Sequence, residues 1–139
     1  MKNKFTAIVL AGGKGSRMNT TIAKQYLLLA GKPVLYYSLA CFQQSGPIED
    51  IILVVGDGQE DYVREQITEK YQLTKVRRIV PGGKERYDSV RNGLNALQEE
   101  KECGQYVLIH DGARPFLTQE IIDRICREVL TEKACAVGM

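Results

Sequence analysis

Several residue types that mark specialised proteins are scarce or missing in this 139-residue chain. It has no tryptophan, one histidine (His110) and four cysteines without a Cys-x-x-Cys pair, too few close ligands for a typical zinc site. No apolar stretch approaches the ~20 residues of a membrane span, and no block of like charges indicates a nucleic-acid surface. We therefore expect a cytoplasmic, single-domain globular protein over residues 1–139, with reduced, mostly buried thiols.

Short apolar runs and segments of helical spacing alternate along the chain. The runs predict strands at Ala7–Leu10, Ile51–Val55, Val76–Val80 and Tyr106–Ile109. The helical segments are marked by Leu35, Leu39 and Phe42; by Val63 and Ile67; by Val90, Leu94 and Leu97; and by Ile121 to Val129, with Thr118 as N-cap. This order predicts an α/β fold of Rossmann-like, doubly wound type, with a mostly parallel sheet and helices on both faces.

Three loops follow predicted strands at the carboxyl edge of the sheet, where ligands of such folds bind: Gly12–Arg17, Gly82–Arg86 and Asp111–Pro115. Glycines in the first loop allow backbone N–H groups to approach phosphate oxygens, and Arg17 and Lys24 can stabilise charge on a triphosphate. A tight strand-to-helix turn explains the glycines equally simply. The Walker pattern and the dinucleotide fingerprint are both absent, which argues against kinase-like and dehydrogenase functions.

Polar residues near the other two loops each allow two interpretations. Asp111 is placed to bridge Mg²⁺ to phosphates, or to stabilise a turn before Gly112. Arg114 is a phosphate ligand or half of a surface ion pair. Ser89 contacts a base or caps a helix. His110 is interpreted as structural, because no serine or cysteine has the context of a nucleophile.

Taken in order, four motifs resemble one family, the 2-C-methyl-D-erythritol 4-phosphate cytidylyltransferases. They are Leu-Ala-Gly-Gly-x-Gly-x-Arg-Met at 10–18, Lys-Gln-Tyr at 24–26, Gly-Gly-x-Glu-Arg-x-Asp-Ser-Val at 82–90 and His-Asp-Gly-Ala-Arg-Pro-Phe at 110–116. The resemblance implies transfer of a cytidylyl group from CTP to methylerythritol 4-phosphate with Mg²⁺, giving CDP-methylerythritol and pyrophosphate in isoprenoid biosynthesis.

The resemblance also implies roles for individual residues. Arg17 and Lys24 stabilise the transition state. The other implied contacts, to nucleotide, metal or sugar phosphate, are Ala11, Gly12, Gly13, Gly15, Gly83, Ser89, Asp111, Gly112 and Arg114, with Asp111 as the metal ligand. Lys84 departs from the family, whose members often carry an acidic residue there.

Family members form homodimers through a β-arm and continue into a further segment that supplies a basic residue. The small-residue run Ala134–Met139 ends the sequence before either, so we expect a truncated nucleotide-binding portion with little turnover. A ribitol 5-phosphate cytidylyltransferase, a sugar-1-phosphate nucleotidyltransferase and a non-catalytic nucleotide-binding domain remain as alternatives. Gly112 favours the methylerythritol branch over the ribitol branch.

Overall fold

The elements of the chain alternate between strands and helices, as predicted. The structure, a computed structural model, describes residues 5–12, 26–99, 106–114 and 116–132. Within these ranges the elements are β1 (Phe5–Ala11), β2 (Leu28–Leu29), β3 (Lys32–Pro33), α1 (Val34–Gln43), β4 (Ile48–Val55), α2 (Glu60–Val63), a π-helix that continues it (Arg64–Glu69), β5 (Val76–Pro81), α3 (Arg86–Glu99), β6 (Tyr106–Asp111) and α4 (Gln119–Glu132). The hairpin of β2 and β3 was not expected from the sequence.

Four strands form one sheet in the order β5-β4-β1-β6, and all neighbouring pairs are parallel. In the centre, Val9 of β1 lies beside Leu53 of β4 on one side and His110 of β6 on the other. The chain moves outward from β1 through β4 to β5 and then crosses back to place β6 on the other side of β1. The sheet is therefore doubly wound, and the order in which strands are added reverses between β1 and β6. The predicted fold class is therefore confirmed.

Both faces of the sheet are covered, which explains the strands' lack of polar alternation. Every residue of β1 is buried. On one face, side chains of β1 pack against α1, the segment 60–69 and α4, through residues that include Leu35, Leu39, Phe42, Val63, Ile67, Ile122 and Val129. On the other face, Ile8 and Leu10 pack against Ala96 and Leu97 of α3.

Helix α3 contacts the sheet through part of its predicted apolar spacing. Leu97 is buried and Val90 packs partly buried against the same core cluster, but Leu94 is 38% exposed. The buried positions of the helix are Ser89, Gly93, Ala96 and Leu97. Gly93 lies so close to β1 that a Cβ atom there would be 2.8 Å from Ile8 Cγ2. Small residues let the helix approach the sheet closely, and this rotates Leu94 outward.

Two further expectations are confirmed at α4. The Ile121 N–H donates to Thr118 Oγ1 at 3.1 Å, so Thr118 caps the helix. Cys126 is a buried free thiol, and Cys41 on α1 is a half-buried one; Cys103 and Cys135 lie outside the described residues.

None of the helices within the described ranges is long and apolar enough to cross a membrane.

Gly93→Val is expected to lower the free energy of unfolding by about 1–3 kcal/mol, because the added methyls have no space against Ile8 and Val54. Asn95→Val places the same side chain on the exposed face of α3 and should change stability by no more than about 0.5 kcal/mol. Urea unfolding of both variants measures the difference. Equal losses would show that α3 does not approach the sheet closely at position 93.

Candidate functional site

The predicted nucleotide loop leaves the sheet at its centre. Ala11 ends β1 in a buried position, and Gly12 follows between the ends of β4 and β6. A Cβ atom built on Gly12 would lie 3.7 Å from both Ser89 Oγ and the Val55 carbonyl oxygen. Gly13, Gly15, Arg17 and Lys24 lie outside the described residues. The described start of the loop is therefore flanked by the loop after β5.

That flanking loop, Pro81–Gly83, is held at each of its three residues. The Gly82 N–H donates to the Val55 carbonyl at 2.6 Å, which extends the β4–β5 pairing by one residue. The Gly83 N–H donates to Ser89 Oγ at 3.2 Å, and Asn92 Nδ2 donates to the Pro81 carbonyl at 2.9 Å. One hydrogen bond to β4 and two to α3 keep this backbone in place beside Gly12.

Ser89 is 7% exposed and faces this loop rather than the start of its own helix. The capping bond at the start of α3 comes instead from Asp88, whose Oδ2 accepts from the Glu85 N–H at 3.1 Å. The helix-capping alternative for Ser89 is therefore wrong. Its bond from Gly83 uses an acceptor lone pair and does not engage the hydroxyl hydrogen, which can donate to a ligand.

The glycines of these loops are needed for space rather than for left-handed backbone angles. Positive φ occurs at Gly31 and Gly58 among the described glycines, and not at Gly12, Gly82 or Gly83. A Cβ atom on Gly83 would be 2.1 Å from Asp88 Cβ, and one on Gly82 would be 2.7 Å from Ser89 Oγ. Gly12 has no left-handed angle, and close packing against side chains of α3 explains Gly82 and Gly83.

On the other flank of Gly12, residues 111–114 form a turn after β6. The Gly112 N–H donates to the Leu10 carbonyl at 2.8 Å, and the Arg114 N–H donates to the Asp111 carbonyl at 3.1 Å. One carboxylate oxygen of Asp111 accepts from the Ala113 N–H at 3.0 Å. Asp111 is thus a turn-forming residue, as one of its two interpretations predicts, and its second carboxylate oxygen is not used by the turn.

The two charged side chains of the turn face each other at the edge of the site. Asp111 Oδ2 lies 3.8 Å from Arg114 Nε, and the side chains are 39% and 53% exposed. An exposed pair at this distance contributes about 1 kcal/mol at most. Both groups are therefore free to exchange this contact for one with a ligand at little cost.

His110 points away from that edge, into the layer beneath it. Its Nε2 lies 2.9 Å from Ser38 Oγ and 3.2 Å from the Arg114 carbonyl oxygen, and its ring meets Phe42 edge-on with 5.6 Å between centroids. Ser38 itself donates to the Arg114 carbonyl at 2.9 Å. Because that bond uses the serine hydrogen, we assign the histidine hydrogen to Nε2.

Burial lowers the pKa of His110, which favours the neutral ring, and a neutral ring with its hydrogen on Nε2 fits this bonding pattern. The structural interpretation of His110 fits these contacts. Ser38 was missed from the sequence. A serine between Leu35 and Phe42 on the buried face of α1 needs a hydrogen-bond partner, and this was the signal that could have identified it.

No group of three or more histidine, cysteine, aspartate or glutamate side chains within the described ranges is arranged to hold a metal ion. In the described turn after β6, Asp111 offers a carboxylate oxygen, which is a hard ligand. That chemistry fits Mg²⁺, which commonly binds through one or two carboxylates together with substrate phosphates.

The described site residues therefore converge on the end of β1: Gly83 and Ser89 from one side, Asp111, Gly112 and Arg114 from the other. Comparison of the sequence with known proteins identifies the family. The sequence model for 2-C-methyl-D-erythritol 4-phosphate cytidylyltransferase matches residues 5–139. The chain belongs to this family.

Individual members of the cytidylyltransferase family are similar over nearly all of the chain. The one from Lachnoclostridium phytofermentans is 50% identical over 136 residues, which are 98% of this chain and 56% of the relative. The one from Alkaliphilus metalliredigens is 48% identical over 99% of this chain and 56% of its own length. The chain thus spans just over half the length of these curated relatives.

Solved structures with a related description share the fold. The 4-diphosphocytidyl-2C-methyl-D-erythritol synthase of Anaerococcus prevotii matches with a TM-score of 0.71 and 26% identity, over 91% of this chain and 51% of that one. A second crystal structure of a 4-diphosphocytidyl-2C-methyl-D-erythritol synthase matches with a TM-score of 0.73 and 27% identity, over 93% and 55% of the two chains.

Gly112→Ala is expected to destabilise the turn after β6 by about 1–3 kcal/mol, because the new Cβ atom would lie 2.7 Å from Leu35 Cδ1 and 3.2 Å from the Leu10 carbonyl oxygen. Gly46→Ala is the matched control, since a Cβ atom there meets nothing within 4 Å. Thermal unfolding compares the two. A Gly112→Ala protein as stable as the control would contradict the tight packing of this turn.

Proposed function

We propose that this chain provides the nucleotide-binding portion of an enzyme that transfers the cytidylyl group of CTP to 2-C-methyl-D-erythritol 4-phosphate. The observation that carries the proposal is the convergence of two separate loops on the end of β1, in a chain of this family. One loop offers backbone groups and a serine hydroxyl; the other offers a carboxylate and a guanidinium. A nucleotide needs the first kind of surface for its base and the second for its phosphates.

The reaction needs no nucleophile from the protein. A phosphate oxygen of the acceptor attacks the α-phosphorus of CTP and forms the new P–O bond. The bond from that phosphorus to the oxygen bridging it to the β-phosphate breaks, and its electron pair leaves with pyrophosphate. Catalysis then consists of holding the two phosphates in line and stabilising the charge that develops between them.

Roles follow for residues on both flanks. The backbone of Ala11 to Gly13 and Gly15 faces the triphosphate, and Arg17 and Lys24 stabilise charge at the α-phosphate. Gly83 and Ser89 form the base pocket, where the fixed loop backbone favours a small pyrimidine. Asp111 holds Mg²⁺, which when bound neutralises phosphate charge, while Gly112 lets the turn approach β1 and Arg114 binds phosphate.

The proposal extends to the setting of the enzyme. We propose cytoplasmic isoprenoid biosynthesis, and we assign the homodimer to full-length members of the family rather than to this chain. We also propose small-molecule substrates in preference to nucleic acid. The near-balance of 19 basic and 17 acidic residues supports the last point, because a polyanion-binding surface needs clustered positive charge.

Binding should select CTP over ATP and GTP. We expect a base pocket built from the Gly83 backbone and Ser89 to select cytosine by size and by hydrogen bonds to the backbone. Calorimetry of the chain with each nucleotide, with and without Mg²⁺, measures this, and we expect CTP to bind at least about tenfold more tightly, equivalent to about 1.4 kcal/mol. Equal affinity for the three nucleotides would favour a non-catalytic nucleotide-binding domain. Competition between methylerythritol and ribitol phosphates for turnover by a full-length version of the protein separates the two acceptors.

Arg17→Ala should weaken binding of CTP by about tenfold to a hundredfold, because it removes a charge-assisted hydrogen bond to phosphate. Arg124→Ala is the matched control: it makes the same change in net charge on the exposed face of α4, where Arg124 pairs only weakly with Glu128 at 3.3 Å. The same calorimetry measures both variants. If Arg17→Ala binds CTP as tightly as Arg124→Ala does, Arg17 is not in the site.

A further inference from the structure

A buried hydroxyl interrupts the apolar face of α1. Ser38 is fully buried, between Leu35, Leu39 and Phe42, all of which pack against the sheet. An alanine would fill this position without needing a hydrogen-bond partner, and burying a hydroxyl is unfavourable unless it is bonded. The position therefore has a use that apolar packing does not supply.

The partners of Ser38 all belong to the end of β6 and the turn that follows. Its Oγ donates to the Arg114 carbonyl at 2.9 Å and lies 2.9 Å from His110 Nε2. His110 Nε2 is also 3.2 Å from the same carbonyl oxygen. Two side chains from different elements thus meet on one backbone oxygen.

That oxygen lies at the end of the turn from which the charged groups of the site project. The other bonds that shape the turn are near its beginning: Gly112 to Leu10, and Ala113 and Arg114 to Asp111 itself. These local bonds define the turn's shape but do not connect its far end to the rest of the protein. Within the described part of the chain, the bonds to Ser38 and His110 make that connection.

We infer that Ser38 and His110 are positioning residues that hold the Asp111–Arg114 turn in the orientation in which its carboxylate and guanidinium face the nucleotide. The inference rests on the proposed function, which places Asp111 and Arg114 in the site. Neither Ser38 nor His110 touches the ligand; each acts through the Arg114 carbonyl. The pair links α1, beneath the sheet, to the charged edge above β6.

Removing a residue that only supports the fold should lower overall stability, whereas removing a positioning residue should disturb the turn. If Ser38 is removed, His110 and the Arg114 carbonyl still have each other at 3.2 Å, so the fold should lose little stability. The turn loses one of its two bonds to the core and should become more mobile. Loss of order confined to the turn distinguishes positioning from support of the fold.

The test compares four variants of the chain. Ser38→Ala and His110→Leu each remove one member of the pair. His110→Gln keeps an N–H donor near the position of Nε2 and serves as the conservative rescue. Gln119→Ala is the control, because it removes another bond from a side chain to the backbone in the same layer, from Gln119 Nε2 to the Cys41 carbonyl at 2.6 Å, without contact to the turn.

Amide hydrogen exchange of Ala113 and Arg114, without nucleotide, is the first measurement. We expect it to rise about three- to tenfold in Ser38→Ala and His110→Leu, to stay near the wild-type rate in His110→Gln and to be unchanged in Gln119→Ala. Amides at the centre of β1 and β4 should keep their rates in all variants. Unchanged exchange in the turn, or an equal rise throughout the sheet, would overturn the inference.

Affinity for Mg²⁺ and CTP, measured by calorimetry, is the second measurement. The variants with a mobile turn should bind about three- to tenfold more weakly, and His110→Gln and Gln119→Ala should bind like the wild type. Variants with faster exchange in the turn and unchanged affinity would contradict positioning. A wild-type chain that fails to bind CTP would instead count against the proposed function, because the exchange measurement does not depend on nucleotide.

Discussion

The structure depends on the position of β1 as a fully buried strand between two parallel neighbours. All seven of its residues are buried, and its backbone pairs with β4 on one side and β6 on the other. Parallel strands end at the same edge of a sheet, so the loops after β1, β4, β5 and β6 gather in one place. The candidate site exists because this one strand is central.

Close backbone approach then converts neighbouring strand ends into a shaped site. The pairing of the strands continues one residue past their ends, through Gly82 to Val55 and Gly112 to Leu10. Each continuation places a glycine where a Cβ atom would meet its surroundings at 2.7 Å. The backbone of each loop consequently lies against the end of the sheet at these glycines.

The two flanks of the site are held in different ways, and this matches what each is proposed to do. In the segment beside Ser89, a hydrogen bond holds the backbone of every residue from 81 to 83. Such a fixed backbone suits recognition of a base by shape. The turn at 111–114 carries two half-exposed charges that face each other loosely at 3.8 Å. Such charges can rearrange around phosphate and a cation, while the buried contacts of His110 and Ser38 hold the backbone from which they project.

Local patterns in the sequence were sufficient to predict the four strands of the main sheet, the helices that cover it and the loops that follow its strands. Uninterrupted apolar runs predicted buried parallel strands because both faces of those strands must be apolar, and the cap at Thr118 could be predicted because a cap depends on the four residues around it. Ordered motifs were sufficient to name the family. None of these inferences needs knowledge of which distant residues meet.

Tertiary packing decided the rest. The sequence could not show that Leu94 is exposed, since the rotation of α3 depends on how closely Gly93 approaches Ile8, a residue 85 positions away in the chain. Nor could it show that Ser89 bonds to Gly83, or that Ser38 reaches the carbonyl of a residue 76 positions away. By itself the sequence determined the periodicities, the glycines and the charged motifs; only the folded chain decided which side chains share a hydrogen bond, because those distances depend on how the layers pack.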